Sequence, residues 1–438
     1  MNPLAEQLNQ EIAQSNPQLL EMLSGIGRQL FFPKGILSQS AEAKEKAHRI
    51  NATIGIAKEK GGIMRFDTVM NSIDGIPASE ALTYAPSFGL PALRKQWREQ
   101  LYAKNPSLDG KKISLPVVTC GVTHGVSIFS DIWLDPGDVV ILPDLMWGNY
   151  NMILNVRKGA RLRQYDLFDA DGRFNISAFA KAIEEEARQS KKIAVMLNFP
   201  QNPTGYTLSE EEADAVVRLL VKTAEAGTHV IAVTDDAYFG LFYETQSLKE
   251  SLFARLGGRH PNLLAIKLDG GTKEHYIWGL RIGFVTYAAS CDGDPELLYA
   301  ALEKKTAGCV RGNISNASHL SQSIMLKSLQ DPRNPSEKDE KFAILKARAL
   351  KVKQVLENPK YDAAWDPYPF NSGYFMCIKL KTVEAEPLRV HLLERYGVGL
   401  ISIGKEALRI AFSCIEEEQV QELFDTVLQG VLDLEATS

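Results

Sequence analysis

Short apolar runs alternate with helical segments through the middle of this chain, and the alternation limits the possible fold more than any other feature. Between the runs lie segments with helical apolar spacing, such as Phe179, Ile183 and Ala187, and a capping box that begins at Ser209. The predicted strands cover residues 117–119, 139–142, 193–198, 230–233, 263–268 and 282–286. Strands joined through helices predict an α/β fold, in which a mainly parallel sheet is covered by helices on both faces.

A break near residue 335 predicts a second, smaller α+β domain. The segment Asp331-Pro332-Arg333-Asn334-Pro335 predicts a turn, and a long charged helix over 336–356 follows it. A further turn is predicted at residues 33–35. With 438 residues, the chain is long enough for two domains. We predict an N-terminal arm and part of the small domain over 1–59, a large domain over 60–335 and the C-terminal small domain over 336–438.

Composition excludes several classes of function. A net charge of −5 argues against a nucleic-acid-binding protein that relies on a basic surface. The five cysteines include no C-x-x-C pair, so neither a zinc site nor a disulfide framework is predicted, and we expect no metal. The first residues are acidic and polar, unlike a signal peptide, and no apolar run approaches the length of a membrane span. A cytoplasmic protein without a membrane partner is expected.

Polar side chains follow three of the predicted strands. Asn202 lies in NFPQNPTG after the first of them, Asp235 and Tyr238 follow the second, and Lys273 follows a Gly-Gly turn after the third, with Arg281 eight residues on. Strand ends in α/β proteins are where ligands usually bind. A partly desolvated lysine can form a Schiff base with an aldehyde, and an arginine can bind a phosphate through its fork of donors. Together with a carboxylate, a phenol and an amide, they match what pyridoxal phosphate requires.

These motifs resemble the fold type I pyridoxal-phosphate aminotransferases of class I/II, and most closely the aspartate/aromatic aminotransferase group. NPTG, D-x-A-Y and K-x7-R followed by Ile-Gly occur in the family's order and at its spacing. The resemblance runs from about residue 50 to 415. It implies a large domain that binds the cofactor, a smaller α+β domain and a homodimer with shared active sites.

The resemblance also implies roles around the cofactor. Lys273 is expected to form the Schiff base and move the proton at Cα, Asp235 to pair with the pyridine nitrogen, and Tyr238 to bond the ring oxygen. These three are the expected catalytic residues. The other expected cofactor contacts are Asn202 at the ring oxygen, Trp147 stacked on the ring, Arg281, Thr272 and the backbone amides of Gly121, Val122 and Thr123 at the phosphate, and Tyr84 reaching the phosphate of the neighbouring subunit.

Two arginines are expected to select the substrate. Arg409, in ALRIAFS, matches the family's clamp on the α-carboxylate. Arg311, in VRGNISNAS, lies four residues before a Ser-Asn pair, as does the arginine that binds the distal carboxylate of dicarboxylic substrates. Gly55, Trp147 and Asn202 complete the expected substrate-binding set. The expected reaction is transamination of an L-amino acid (aspartate, glutamate or aromatic) with a 2-oxo acid such as 2-oxoglutarate.

Alternatives remain for the residues and for the reaction. Arg311 is otherwise a surface or interface arginine, Trp147 an ordinary core residue, and Asp236 is interpreted as a turn or surface carboxylate on the opposite side of its strand. The same cofactor would also serve a β-lyase or a decarboxylase, or a non-catalytic regulatory module that binds it.

Three departures from the family pattern concern the phosphate and the substrate. Gly270 stands where many relatives have a serine, Gly121-Val122 replaces the usual Ser-Gly, and Gln201 replaces a histidine. Fewer hydroxyl groups at the phosphate predict a divergent subgroup, in which specificity need not follow the aspartate enzymes.

Overall fold

The strands form one large sheet and three smaller ones. The computed structural model describes residues 1–33 and 35–436. The strands in chain order are β1 (Ile50–Asn51), β2 (Lys58–Glu59), β3 (Gly62–Ile63), β4 (Val117–Thr119), β5 (Val139–Pro143), β6 (Arg161–Tyr165), β7 (Lys192–Leu197), β8 (His229–Asp235), β9 (Leu263–Asp269), β10 (Gly283–Ala289), β11 (Trp365–Pro367), β12 (Met376–Leu380), β13 (Val398–Gly399), β14 (Ile401–Ile403) and β15 (Ala407–Ile410).

The large sheet has seven strands in the order β4-β10-β9-β8-β7-β5-β6. Strands β5 to β9 are parallel to their neighbours within this set, whereas β10 is antiparallel to both β9 and β4. Parallel strands need crossover connections, which the helices between them supply. The predicted α/β fold with a mainly parallel sheet is confirmed.

Both faces of the large sheet are buried, as its sequence pattern predicts. Along β7, Ile193 and Val195 belong to one hydrophobic cluster, and Ala194 and Met196 to another on the opposite face. Successive side chains of a strand point to opposite faces, so a strand that is apolar at every position is covered on both sides.

The helix that follows Ser209 begins at its predicted capping box. In this capping box Ser209 Oγ accepts a hydrogen bond from the Glu212 amide, and the Glu212 carboxylate accepts one from the Ser209 amide. The α-helices are α1 (Pro3–Ser15), α2 (Pro17–Met22), α3 (Gly25–Gln29), α4 (Ile36–Lys46), α5 (Asp67–Asn71), α6 (Ala78–Ala81), α7 (Pro91–Lys104), α8 (Gly121–Trp133), α9 (Ile176–Gln189), α10 (Glu210–Glu225), α11 (Leu252–Leu256), α12 (Gly271–Glu274), α13 (Pro295–Ile314), α14 (His319–Gln330), α15 (Asn334–Leu356), α16 (Ala385–Tyr396) and α17 (Gln419–Glu435).

The structure differs from the sequence-based prediction at one strand and at several element boundaries, among them the start of the long charged helix, which lies at Asn334 and not at 336. Strand β6, with the sequence RLRQY, was not predicted, because it lies at the sheet edge and exposes polar side chains. The predicted strand at 282 begins at Gly283, since Arg281 adopts a left-handed conformation with φ 53°. The turn predicted at 33–35 includes Lys34, which lies outside the described residues.

A second sheet lies in the C-terminal part of the chain, with strand order β11-β12-β15-β14. Strand β1 pairs in parallel with β13, so residues 50–51 lie with the C-terminal region. This pairing supports the predicted division into domains at 59 and 335, which stays a prediction. Over 1–33 and 35–436, no helix combines the length and apolar character needed to cross a membrane.

Candidate active site

One pocket lies at the carboxyl ends of the central parallel strands. The register of β7, β8 and β9 aligns Leu197 with Thr234 and Asp235 with Leu268, so the segments that follow these strands meet at one edge of the sheet. The pocket is lined by Val122, Thr123, Trp147, Tyr150, Asn198, Asn202, Asp235, Ala237, Tyr238, Thr272, Lys273 and Arg281.

Lys273 lies at the centre of this pocket. Its Nζ donates to the Gly55 carbonyl at 2.8 Å and lies 5.2 Å from the centre of the Tyr238 ring. Burial, together with the cations Arg281 and Arg409, lowers the pKa of Lys273 from 10.5 to about 7. At neutral pH the Lys273 amine is therefore unprotonated in a large fraction of the molecules, as a nucleophile or base requires.

Asp235 also lines the pocket, is buried and is held by three groups. The Tyr150 hydroxyl donates to Asp235 Oδ2 at 2.5 Å, the Ala237 amide donates to Oδ1 at 3.2 Å, and the Asn198 side chain donates to the Asp235 carbonyl at 2.8 Å. Burial raises the pKa of Asp235 from 3.8 to about 6, although the bonds from Tyr150 and Ala237 oppose the rise. The carboxylate is thus oriented, and although the charge of Lys273 acts on it, Asp235 forms no ion pair within the described part of the chain.

This burial predicts that Asp235 destabilises the cofactor-free protein at neutral pH. Its carboxyl takes up a proton near pH 6 when folded and near 3.8 when unfolded. The folded state therefore binds more protons between these values, and stability falls as pH rises through them, by about 3 kcal/mol in all. We expect Asp235→Asn to raise the thermal unfolding temperature of the cofactor-free protein at pH 7.5, and to raise it less at pH 5. Equal unfolding temperatures for both proteins at pH 7.5 would contradict this account.

The N-terminus of α8 and Arg281 form one end of the pocket. Gly121, the first residue of α8, has φ +77°, and a Cβ built on it would lie only 2.6 Å from Arg281 Nη2. Only glycine allows the guanidinium to lie this close to the helix N-terminus. Val122 and Thr123 follow it on the pocket wall, and Thr272 lines the pocket from the Lys273 side. An arginine beside free backbone amides forms a site for an anion such as phosphate.

Arg409 is buried near the pocket and forms no ion pair with any residue that the structure describes. Its Nη2 donates to the Thr53 carbonyl at 2.7 Å and its Nη1 to Asn202 Oδ1 at 3.3 Å, and its guanidinium lies 4.1 Å from the centre of the Phe375 ring. The Nε atom has no hydrogen-bond partner among the residues that the structure describes. Burial lowers the pKa of Arg409. A buried cation with neutral partners indicates a site for an anionic ligand.

Two of the predicted residues lie outside this chain's own pocket. Tyr84 is 88% exposed, and Arg311, on α13, is exposed with its Nη1 donating to Ser315 Oγ at 2.8 Å. The other predicted residues line the pocket or, like Gly55, Gly121 and Arg409, contact residues that do. Trp147 lines the pocket and packs edge-on against Tyr150, with ring centres 5.3 Å apart.

The interpretation of Asp236 as a turn or surface carboxylate is wrong. Asp236 is 3% exposed, forms an ion pair with Lys267 and accepts from Ser251 Oγ at 2.6 Å. It does point away from the pocket, but into a buried polar cluster. The lysine within the otherwise apolar run LLAIKL is the sequence signal for a buried partner.

Sequence reasoning assigned no role to three further residues of the site. Tyr150 and Asn198 hold Asp235, and the Tyr374 hydroxyl donates to the Lys273 carbonyl at 2.8 Å. Asn198 begins the recognised NFPQNPTG segment, and Tyr150 lies in the same MWGNY segment as Trp147. Both residues could therefore have been assigned to the site from the motifs that contain them, whereas no motif near Tyr374 indicates a role for it.

Comparisons with known proteins agree on the family. The family model "Aminotransferase class I and II" matches residues 66–427, which is most of the chain. A crystal structure of an aminotransferase from Anaerococcus prevotii superposes with a TM-score of 0.82 at 27% identity, covering 93% of this chain and 98% of that one.

Two curated relatives carry different names. The probable N-acetyl-LL-diaminopimelate aminotransferase of Bacillus subtilis is 24% identical and covers 81% of each chain. The aspartate aminotransferase of Geobacillus stearothermophilus is 26% identical over 70% of this chain and 71% of its own. The predicted family and its cofactor are confirmed, and the chain belongs to the class I and II aminotransferases, enzymes that transfer amino groups with pyridoxal phosphate.

Proposed function

We propose that this enzyme transfers the amino group of aspartate, glutamate or an aromatic L-amino acid to a 2-oxo acid such as 2-oxoglutarate, with Lys273 bonded to the cofactor between turnovers. The observation that carries the substrate part is Arg409. It is a buried cation whose contacts are all neutral and whose Nε has no partner among the described residues, and it lowers the pKa of nearby Lys273. The α-carboxylate of an amino acid would supply the missing charge at bonding distance from the lysine.

The residues of the pocket fit the cofactor. Its phosphate matches the space beside Arg281 and the first amides of α8, where only a glycine at 121 leaves room for the guanidinium. Its pyridine nitrogen, when protonated, would give the buried Asp235 carboxylate the cationic partner that it lacks. Pyridoxal phosphate supplies an aldehyde that bonds to amino groups and a ring that withdraws electrons.

Lys273, Asn202 and Tyr238 would each have a separate role in the reaction. Lys273, whose pKa is lowered to about 7, would take the proton from the substrate Cα and return it on the cofactor side. Asn202 accepts from Arg409 through Oδ1, which leaves its Nδ2 hydrogens to donate to the ring oxygen. Tyr238 is 5% exposed, and burial raises its pKa, so it stays protonated as a second donor.

The first experiment adds a single amino acid to the loaded enzyme without any 2-oxo acid. We expect glutamate to convert the bound cofactor to pyridoxamine phosphate and release one equivalent of 2-oxoglutarate per site, both measured by mass spectrometry. Conversion by phenylalanine or alanine but not by glutamate would reject dicarboxylic substrates. Release of ammonia or carbon dioxide with the cofactor unchanged would instead indicate a lyase or a decarboxylase.

A change at Arg311 tests how the distal carboxylate is recognised. We expect Arg311→Leu to lower kcat/KM for glutamate and aspartate about 100-fold, because the second carboxylate loses a charged donor, and to leave phenylalanine within a few-fold. The matched control is Lys305→Leu, which removes an exposed cation from the same helix, α13. Equal losses on all three substrates would show that Arg311 does not bind the side chain.

Mixed dimers test whether Arg311 serves the neighbouring subunit, as its exposure and that of Tyr84 support. Chains with Arg311→Leu and chains with Lys273→Ala are co-expressed, and each alone is defective on glutamate. If the arginine acts across the dimer, we expect about a quarter of wild-type activity, because about half of randomly paired dimers are hybrids with one complete site. No recovery would place Arg311 and Lys273 in the same subunit's site or indicate a monomer.

A further inference from the structure

Lys273 is carried by a helix that cannot hold itself in place. Helix α12 is only four residues long and begins at Gly271, directly after Gly270, so its own hydrogen bonds provide little stability. Its position must therefore be set by contacts with other parts of the protein. One of them is the Tyr374 hydroxyl bond to the Lys273 carbonyl.

The strongest of these contacts involve Glu274, the residue after Lys273. Its carboxylate is 4% exposed, and Oε1 accepts from Lys104 Nζ at 2.8 Å and from Lys338 Nζ. Lys104 is the last residue of α7, and Lys338 lies in the first turns of α15. Two helices that are far apart in the sequence thus hold one carboxylate. On its other side, His275 Nε2 lies 3.9 Å from Oε2.

The segment before Lys273 is anchored to the same helix, α7. Asp269, the last residue of β9, accepts from Trp97 Nε1 at 3.1 Å and lies 3.7 Å from Lys267. Trp97 and Lys104 both belong to α7. Both ends of the segment 269–274 are therefore attached to one rigid element, with Lys273 between them.

The charges make Glu274 difficult to replace. Burial alone would raise its pKa, but Lys104 and Lys338 hold the pKa of Glu274 well below its usual range, so the carboxylate stays ionised. Without it, two partly buried ammonium groups would be left close together, and Asp269 would be the carboxylate that still acts on Lys104. Such a site relaxes by moving its charges apart.

We propose that Glu274 is a positioning residue for the transamination reaction: its carboxylate, bonded to Lys104 and Lys338, fixes α12 so that Lys273 Nζ points into the pocket. The inference rests on the proposed role of Lys273. The side chains at 273 and 274 leave this helix in different directions, so Glu274 acts through the backbone and does not contact substrate.

The test compares Glu274→Gln with Glu186→Gln. Glu186 is 4% exposed and accepts from both terminal nitrogens of Arg161, but it lies on α9 and its partner is on the edge strand β6. Both variants lose a buried carboxylate, so both can lower the unfolding temperature. We expect only Glu274→Gln to lower kcat for glutamate, by about 10- to 100-fold, with KM within about threefold, because a misplaced base slows proton transfer more than binding.

A second measurement does not depend on turnover. Cofactor-free protein is mixed with pyridoxal phosphate, the bond to lysine is trapped with borohydride at timed intervals, and modified Lys273 is counted by peptide mass spectrometry. We expect the Glu274→Gln protein to capture the cofactor at least about fivefold more slowly than wild type, and Glu186→Gln to match wild type.

Each result decides between the explanations. Wild-type kcat and capture rate in folded Glu274→Gln would overturn the inference, as would equal losses in Glu186→Gln. If Glu274→Gln does not fold, Lys338→Met takes its place, since it leaves the ion pair between Glu274 and Lys104 intact. A lower kcat and slower capture of the cofactor by Lys338→Met would support the inference, and wild-type values would overturn it.

The wild-type protein separates the inference from the proposed function. If wild type is not modified at Lys273, both the proposed function and the inference are overturned. If wild type captures the cofactor normally, the result for Glu274→Gln tests the inference alone.

Discussion

Replacing Lys273 with alanine is expected to lower kcat by about 10⁴-fold or more while leaving the fold intact, because the change removes both the covalent attachment and the base. The amine makes one hydrogen bond within the described chain, to the Gly55 carbonyl, and burial and neighbouring cations lower its pKa to about 7. A group that is costly to keep charged in its site contributes little to stability. We therefore expect an unchanged unfolding temperature for the cofactor-free protein. The measurement is the single-turnover rate with glutamate, followed by mass spectrometry of the released 2-oxo acid.

Lys273→Arg separates the chemistry of the amine from its charge. The guanidinium keeps a positive charge in the pocket but stays protonated and forms no stable bond with an aldehyde. We expect it to be as inactive as alanine. Turnover of either variant within about 100-fold of wild type would show that another group moves the proton, since general bases contribute about 10²- to 10⁴-fold.

The sheet was predictable because its strands are buried on both faces. Burial on both sides favours apolar residues at every position, and the central residues of β7, β8 and β9 meet this condition except at Lys267, which made them visible as continuous runs. Lys267 breaks the run in β9, and its partner Asp236 was misinterpreted for the same reason: local pattern does not show a charge satisfied by a residue 31 positions away. Edge strand β6 faces solvent on one side and gave no apolar run.

The residues of the site were predictable where chemistry and chain order coincide. Asn202, Asp235 and Lys273 each follow a strand, and parallel neighbours bring strand ends together. The groups that orient them are different. Tyr150 reaches Asp235 across 85 positions, and Lys338 reaches Glu274 across 64, so no local periodicity connects them. The role of Gln201 was likewise not visible in the local sequence. Its Nε2 donates to the Leu145 carbonyl and its Oε1 accepts from the Thr204 amide, so the side chain holds the turn that contains NPTG.

Arg409→Leu is expected to lower kcat/KM about 10³-fold for every amino acid substrate, whatever its side chain, because the α-carboxylate is common to all of them. This expectation separates Arg409→Leu from Arg311→Leu, whose loss of kcat/KM depends on the side chain of the substrate.

The stability of the Arg409→Leu protein is expected to change little. Leucine would leave the Thr53 carbonyl without its donor, a cost of about 1–3 kcal/mol. The same change removes a buried cation whose contacts with the described residues are all neutral, and burial already lowers the pKa of Arg409. These effects oppose each other, so we expect the cofactor-free protein to unfold within a few degrees of wild type.

Arg409→Lys provides the control, since it keeps the charge but replaces a two-pronged contact with a point charge. We expect Arg409→Lys to lower kcat/KM by about 10- to 100-fold, so that its activity lies between those of wild type and Arg409→Leu. Steady-state kcat/KM for glutamate, phenylalanine and alanine is measured on all three proteins with saturating cofactor. Small losses on all three substrates would show that Arg409 does not bind the α-carboxylate. Losses that differ more than about tenfold between glutamate and alanine would assign Arg409 to the substrate side chain. In that case the buried cation beside Phe375 would decide which amino acids are accepted, and the α-carboxylate would be bound elsewhere in the pocket.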